Sequence, residues 1–147
     1  MVKGTASPAE VLAKAKMIAV VGASANPEKE AHRVPLYLKQ NGYRIIPVNP
    51  TAREVFGEKA YPSLLDLPEE LGRTIDVVEV FRPSEELPKV ALQVVELRRR
   101  YGTSPVFWSQ AGLENDEAKS ILDAAGIPYV MDSCMRTIHR TQVRRAV

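Results

Sequence analysis

The feature that most constrains this chain is a set of short apolar runs that do not alternate with polar residues. Met17-Ile-Ala-Val-Val21, Ile75-Asp-Val-Val-Glu-Val-Phe81, Pro105-Val-Phe-Trp108 and Ile127-Pro-Tyr-Val-Met131 recur along the sequence. A strand with one wet face alternates apolar and polar side chains. A short, nearly continuous apolar run instead fits a strand covered on both faces, as in a parallel sheet. Tyr43-Arg-Ile-Ile-Pro-Val48 adds a fifth run, although Pro47 suits a strand end or an edge better than a centre.

Helical patterns fill the intervals. Leu87, Val90, Ala91, Val94 and Val95 recur at helical spacing, with Ser84 as the expected cap and Glu85 and Glu86 in a first turn that favours acids. Arg98, Arg99 and Arg100 complement the dipole at its other end. Ala118, Ile121, Leu122 and Ala125 share one face of a helix over 114–125, closed by Gly126. Val34, Tyr37 and Leu38 mark another helix, ended by Asn41-Gly42. Pro35 should lie in its first turn, because proline has no amide hydrogen to give inside a helix. Ser7-Pro8-Ala9-Glu10 reads as N-cap, N1 proline and capping-box glutamate of an opening helix. Glu54–Tyr61 suggests a short strand or hairpin around Gly57, and Ser63–Leu67 a helical turn. Asp132–His139 reads as a loop leading toward a last helix, and the basic Arg140–Val147 as a solvated tail.

Strands therefore alternate with helices. The expected fold is α/β: a Rossmann-like open parallel sheet of about five principal strands, with helices on both faces. A length of 147 residues suits one domain, 1–147, with one core.

Several function classes fall away. The net charge is only +2, and the basic residues form no tract interleaved with aromatics, so nucleic acid is not an expected partner. No apolar run approaches the ~18–20 residues needed to span a bilayer. The first ten residues hold no apolar signal core, and a cytoplasmic location is the expectation. Cys134 is the single cysteine, so no intrachain disulfide forms. One cysteine and two separated histidines give no dedicated zinc site, and no metal ligand is assigned.

The turn after the first strand is the informative stretch: Val21-Gly-Ala-Ser-Ala-Asn-Pro27. In an open parallel sheet, ligands bind at the carboxyl ends of the strands. Backbone N–H groups at the start of the following helix favour a phosphate. Gly22 permits close approach, and the Ser24 hydroxyl can donate. A tight connection with Ser24 or Asn26 as a cap reads equally well from the turn alone. The second strand ends in Val48-Asn-Pro-Thr-Ala-Arg53, where a nicotinamide enzyme usually carries an acid for the ribose hydroxyls. Arg53 instead suits a phosphate on the adenosine ribose, at the 2′ position in NADP or the 3′ position in coenzyme A. There is neither a G-x-G-x-x-G nor a P-loop.

Five segments in order carry a resemblance: Val21-Gly-Ala-Ser-Ala-Asn-Pro27, Gly42-Tyr-Arg-Ile-Ile-Pro-Val-Asn-Pro50, Asp76-Val-Val-Glu-Val-Phe-Arg-Pro83, Val106-Phe-Trp-Ser-Gln-Ala-Gly-Leu113 and Ala125-Gly-Ile-Pro-Tyr-Val-Met-Asp132. Together the sequence resembles the stand-alone CoA-binding domain family. That family is similar to the nucleotide-binding domain of the succinyl-CoA synthetase alpha subunit. The resemblance implies coenzyme A, or an acyl-CoA, as ligand. It implies Gly22, Ala23, Ser24, Ala25 and Asn26 at the diphosphate. Asn49, Pro50 and Arg53 would flank the adenosine and its 3′-phosphate. Val80, Phe81, Arg82 and Pro83 would border the ligand, and Trp108, Ser109 and Gln110 would lie along the pantetheine. His32 and Arg33 would add charge. The histidine phosphorylated in the synthetase belongs to a second domain with no counterpart before Val147, so ligase chemistry is not expected of this chain alone.

No catalytic residue is assigned. Asp132, Ser133 and His139 supply the residue types of a triad, but no G-x-S-x-G elbow accompanies them. Asp76 and Glu79 fall on opposite faces of a strand and are not a carboxylate pair. His139 reads as a surface or capping residue. Cys134 reads as packing for the last loop, or as a thiol activated by Arg136 and His139 near the thiol of CoA. Two other functions stay open: an NADP-binding oxidoreductase or redox sensor, and a protein-interaction module with a vestigial crevice.

Overall fold

The computed structural model describes residues 6–144. Helix α1 (Pro8–Lys14) leads into strand β1 (Met17–Val21), followed by α2 (Glu30–Gln40) and β2 (Arg44–Val48). A two-stranded hairpin, β3 (Glu54–Val55) with β4 (Glu58–Lys59), turns at Phe56 and Gly57, both at positive φ. A 3₁₀ turn (Leu64–Asp66) and the short α3 (Glu69–Gly72) precede β5 (Val77–Val80). Then come α4 (Leu87–Tyr101), β6 (Val106–Ser109), α5 (Asp116–Ala125), β7 (Tyr129–Val130) and α6 (Met135–Ile138), which runs on as a wider turn to Val143.

The five long-range strands are all parallel, in the order β2-β1-β5-β6-β7. Every residue of β1 and of β5 is buried, as the unbroken apolar run of β1 requires; in β5 that burial takes in Glu79 as well. Two layers cover the sheet. Leu87, Val90, Ala91, Val94 and Leu97 of α4 and Ala118 and Leu122 of α5 pack with Ala19, Val21, Val78, Val80 and Phe107. Leu12 of α1, Val34 and Leu38 of α2 and Met135 of α6 pack on the other face with Ile18, Val20, Val77, Trp108 and Val130. The sheet edge at β2 accepts Pro47, and its carbonyl is used from outside by the Tyr61 amide at 3.1 Å.

Four local expectations are corrected. First, α2 begins at Glu30, so Pro35 lies well inside it. The carbonyl that Pro35 cannot reach belongs to Ala31, and the Ser24 amide donates to it at 3.1 Å. A tertiary bond thus satisfies the gap that normally keeps proline out of a helix. Second, Ser7 stands at the N-cap of α1 without closing a side-chain bond. Third, Ser84 opens a 3₁₀ turn (Ser84–Glu86) ahead of α4, and its hydroxyl accepts from the Glu114 amide at 3.1 Å. Fourth, the basic C-terminal stretch is helical to Val143, which packs against the α1–α2 layer. Within it His139 is buried, and its Nδ1 meets the Tyr37 hydroxyl at 2.9 Å. Residues 145–147 of the expected tail lie outside the described residues.

Candidate functional site

The strand order creates the site. Leaving β1, the chain crosses through α2 on one face to reach β2; leaving β5, it crosses through α4 on the other face to reach β6. The connections after β1 and β5 therefore diverge, and a crevice opens between them at the carboxyl ends.

Gly22 forms its floor. Its amide donates to the Val48 carbonyl of β2 at 3.0 Å, and its φ is +88°. A Cβ placed there would stand 3.0 Å from the Phe81 carbonyl oxygen and 3.0 Å from Cδ of Arg82. Positive φ and a backbone neighbour on the far side both demand glycine. Beyond Gly22 the turn is braced from within. His32 Nδ1 lies 2.7 Å from the Ser24 carbonyl, so the proton sits on that nitrogen. Ser24 Oγ accepts the Asn26 amide at 3.0 Å, and Asn26 Oδ1 accepts the Glu28 amide at 3.0 Å. Asn49 Nδ2 donates across to the Ala23 carbonyl at 2.8 Å. Its Oδ1 collects the amides of Thr51 and Ala52 at 2.8 and 2.9 Å.

Several residues expected to meet a ligand therefore act as framework. Asn49 is committed through both ends of its amide and Asn26 through its Oδ1, and the Ser24 amide is committed to Ala31. Among the described residues, the amides of Ala23 and Ala25 donate to no protein acceptor, and the Ser24 hydroxyl proton has no acceptor. Arg53 is exposed, with no side-chain hydrogen bond or ion pair among the described residues. Pro50 and Pro83 are exposed beside the crevice, and Val80 is wholly buried. Arg33 is exposed and bonds the Pro27 carbonyl through Nε at 3.2 Å. Arg82 lies along Gly22 and is paired with Glu86 at 3.0 Å.

The pantetheine expectation divides. Trp108 is 0% exposed, with Nε1 donating to the Ser133 carbonyl at 2.7 Å, and Ser109 is 0% exposed, with Oγ donating to Leu113. Both are core residues with satisfied polar atoms. Gln110, Phe81, Ala111 and Leu113 instead line a cavity of about 350 Å³ with Cys134 and with Lys29, Glu30 and Ala31 at the start of α2. A larger cavity, of about 720 Å³, lies among α1, Asp76 and Val106 at the opposite, amino ends of the strands. No strand-to-helix turn reaches it, and it has no part in this site.

The sequence reading missed Glu79. It is 0% exposed in the middle of β5, in register with Val20 and Trp108, on the face that α2 and α6 cover. Neither carboxyl oxygen has a partner among the described residues. Burial, and then the charge of nearby Cys134, pushes its pKa well above the usual carboxylate range, which favours the neutral acid. A lone acid within Val77-Val-Glu-Val80 was the available signal. Cys134 is half-buried at the N-cap of α6. Burial pushes its thiol up, but donors of Thr137, Gln110 and Arg136 around the sulfur outweigh that and bring it below the ordinary value. None of them closes to a full hydrogen bond.

Residues 16–140 match the family model described as CoA binding domain. The uncharacterized protein YneT of Bacillus subtilis is 44% identical over 130 residues, which is 88% of this chain and 90% of that protein. The ADP-forming acetate–CoA ligase II of Archaeoglobus fulgidus is 37% identical over 83 residues, 55% of this chain but 12% of that much longer protein. Among solved structures, cell-free ID.343 from Thermus thermophilus superposes with a TM-score of 0.77 at 42% identity, over 89% of this chain and 92% of that one. The match spans the turn, the second strand end and the cavity together, and the chain belongs to the CoA-binding domain family.

Proposed function

We propose that the crevice binds coenzyme A or an acyl-CoA, and that this chain acts as a CoA carrier or sensor without ligase chemistry of its own. The family match across residues 16–140 carries this reading. The site fits the ligand chemically. Ala23 and Ala25 offer uncommitted amides, and the Ser24 hydroxyl an uncommitted proton, to a diphosphate at the head of α2, where the helix dipole favours an anion. Gly22 lets the turn pack directly against the Phe81 carbonyl and Arg82 at the end of β5, which sets the shape of the crevice floor. Arg53 serves the ribose 3′-phosphate through charge-assisted hydrogen bonds. The pantetheine follows the cavity beside Phe81, Gln110 and Leu113. Asn26, Asn49 and His32 hold the turn in shape and need not touch the ligand.

The test is calorimetric titration of ligand-free protein with CoA, dephospho-CoA and NADP. NADP is included because Arg53 would serve its 2′-phosphate equally well. Saturable CoA binding with little NADP binding is expected. Arg53→Ala should weaken CoA about tenfold, which corresponds to about 1.4 kcal/mol, and leave dephospho-CoA nearly unchanged. No binding at millimolar CoA would overturn the function. Equal losses for both ligands would remove Arg53 from its role.

A further inference from the structure

Gln110 is a buried polar side chain of which the protein uses only one half. It is 6% exposed, just past the end of β6, and it lines the cavity with Phe81, Ala111 and Leu113. Its backbone is pinned on both sides: its amide donates to the Val80 carbonyl at 3.3 Å, and its carbonyl accepts the Leu113 amide at 3.0 Å. Its side-chain Oε1 accepts the Met135 amide, the first of α6, at 3.1 Å. That bond settles which way the side-chain amide faces, because only its oxygen can accept from a backbone N–H. Nε2 keeps two protons, and among the described residues neither has an oxygen or nitrogen acceptor. Nor is Nε2 one of the polar atoms sealed in without a partner; it keeps an open side, and the opening this residue lines is the cavity. The Cys134 sulfur in the same wall is only a weak acceptor. Holding the Met135 amide needs an acceptor alone, so that task does not account for the donor half. A buried donor facing a cavity walled by Phe81, Ala111 and Leu113 calls for an oxygen from a ligand.

Resting on the CoA reading above, we infer that the ligand is a short-chain acyl-CoA and that Gln110 is its specificity-determining residue, with Nε2 donating to the thioester carbonyl. In that reading the pantetheine arm runs from the head of α2, whose Ala31 belongs to the same wall, and its sulfur end arrives beside Gln110. Free CoA ends there in a thiol, a poor partner for an N–H, and leaves the donor unpaired. An acyl-CoA ends in a thioester, and its carbonyl oxygen completes the bond. A site built around a donor rejects the ligand that lacks the acceptor, because the cost of the unpaired group falls on that ligand. The acyl chain meets Phe81, Ala111 and Leu113, which suit hydrocarbon. The cavity volume of about 350 Å³ lies near the lower end of the roughly 300–1,000 Å³ of small-molecule sites, so it takes the end of the arm with a short chain. No bond is made or broken. The difference between acylated and free CoA is read, as a sensor of acyl-CoA requires.

The experiment is calorimetric titration of the full chain with CoA, acetyl-CoA and decanoyl-CoA. Acetyl-CoA should bind about tenfold more tightly than CoA, the scale of one buried donor gaining its acceptor. Decanoyl-CoA should bind more weakly than acetyl-CoA. Gln110→Glu keeps the oxygen that holds the Met135 amide and replaces the donor with an acceptor. It should bring the ratio of the two affinities, acetyl-CoA to CoA, to about one. Gln110→Met removes both halves and should do the same if the acidic variant fails to fold. A purely structural role for Gln110 would weaken both ligands together and leave the ratio where it was. Such an unchanged ratio overturns the inference, as does equal affinity of the native chain for CoA and acetyl-CoA; in either case CoA binding stands. Decanoyl-CoA binding as tightly as acetyl-CoA overturns the short-chain limit. If neither CoA nor acetyl-CoA binds at millimolar ligand, the CoA reading fails and takes this inference with it.

Discussion

The two layers that sandwich the sheet differ in kind. The layer under α4 and α5 is built of hydrocarbon and aromatic side chains, with Ser109 appearing only at a strand end. The layer under α1, α2 and α6 contains Glu79, His139 and the indole N–H of Trp108, with Tyr43 donating to the Leu12 carbonyl at 2.5 Å. Gln110 reaches into it to accept the Met135 amide at 3.1 Å. Buried polar groups cost stability unless paired, and all these except Glu79 have a partner. The polar layer is also the one whose helix starts, α2 with Lys29–Ala31 and α6 with its N-cap Cys134, wall the crevice. The apolar layer sets stability; the polar one sets the shape and chemistry of the site and carries one acid that stability does not explain.

Truncation separates the layers most strongly. Phe107→Ala, in the apolar layer, should cost about 3–5 kcal/mol in chemical unfolding. Glu79→Met, in the polar layer, should instead stabilise the protein by about 1–3 kcal/mol at neutral pH, because it removes an unpartnered buried group and keeps the volume. A loss at position 79 would break the contrast and reveal a buried partner for the carboxyl. The pH dependence sharpens it. The folded pKa of Glu79 lies above its ordinary value of 4.5, so its contribution is whole below that value and is lost as pH rises toward the folded pKa. Glu79→Gln should abolish that decline, measured by urea unfolding at successive pH values.

The apolar layer was legible in the sequence because periodicity reports burial directly. Leu87, Val90, Ala91 and Val94 were read as a core face and are one. β1 was read to the residue, because an unbroken apolar run has no other comfortable place. The polar layer was read less well, because its groups are satisfied by partners distant in sequence. His139 was read as a surface residue; its partner Tyr37 lies 102 positions away. Pro35 was placed at a helix start because its missing bond is visible locally, whereas the Ser24 amide that answers for Ala31 is not. Within the crevice, residue types pointed to Gly22 and the turn. They did not reveal that the side-chain amide of Asn49 and the Oδ1 of Asn26 are used by the framework, nor that Trp108 belongs to the core.

His139 gives a smaller effect of opposite sign to Glu79. Burial, and then the charge of Arg144, holds its pKa below the ordinary 6.5. The unfolded chain therefore takes up a proton that the folded one resists. This stability contribution is present above pH 6.5 and is lost as pH falls through and below that value. One such proton changes stability by no more than about 1.4 kcal/mol per pH unit. His139→Gln should flatten the acid-side slope while lowering stability at neutral pH through the lost Tyr37 contact. An unchanged slope would show that His139 is charged in the folded protein and would move it out of the polar core.

The smallest effect belongs to the outer surface of the apolar layer. Glu96 of α4 is bonded by Arg99 and then Arg100, at 2.5 and 3.0 Å, and these bonds lower its pKa to about 2. The direction implies stability that is present above the ordinary carboxylate value and is lost as pH falls toward that figure. The pairs face water, however, where screening and side-chain entropy cancel most of such a gain. Glu96→Gln should therefore leave the unfolding midpoint within experimental error at physiological salt, although carboxyl NMR at low salt should find Glu96 titrating near the low value. A clear destabilisation would mean that the apolar side draws on electrostatics as the crevice side does, and the division between the layers would then describe composition rather than energy.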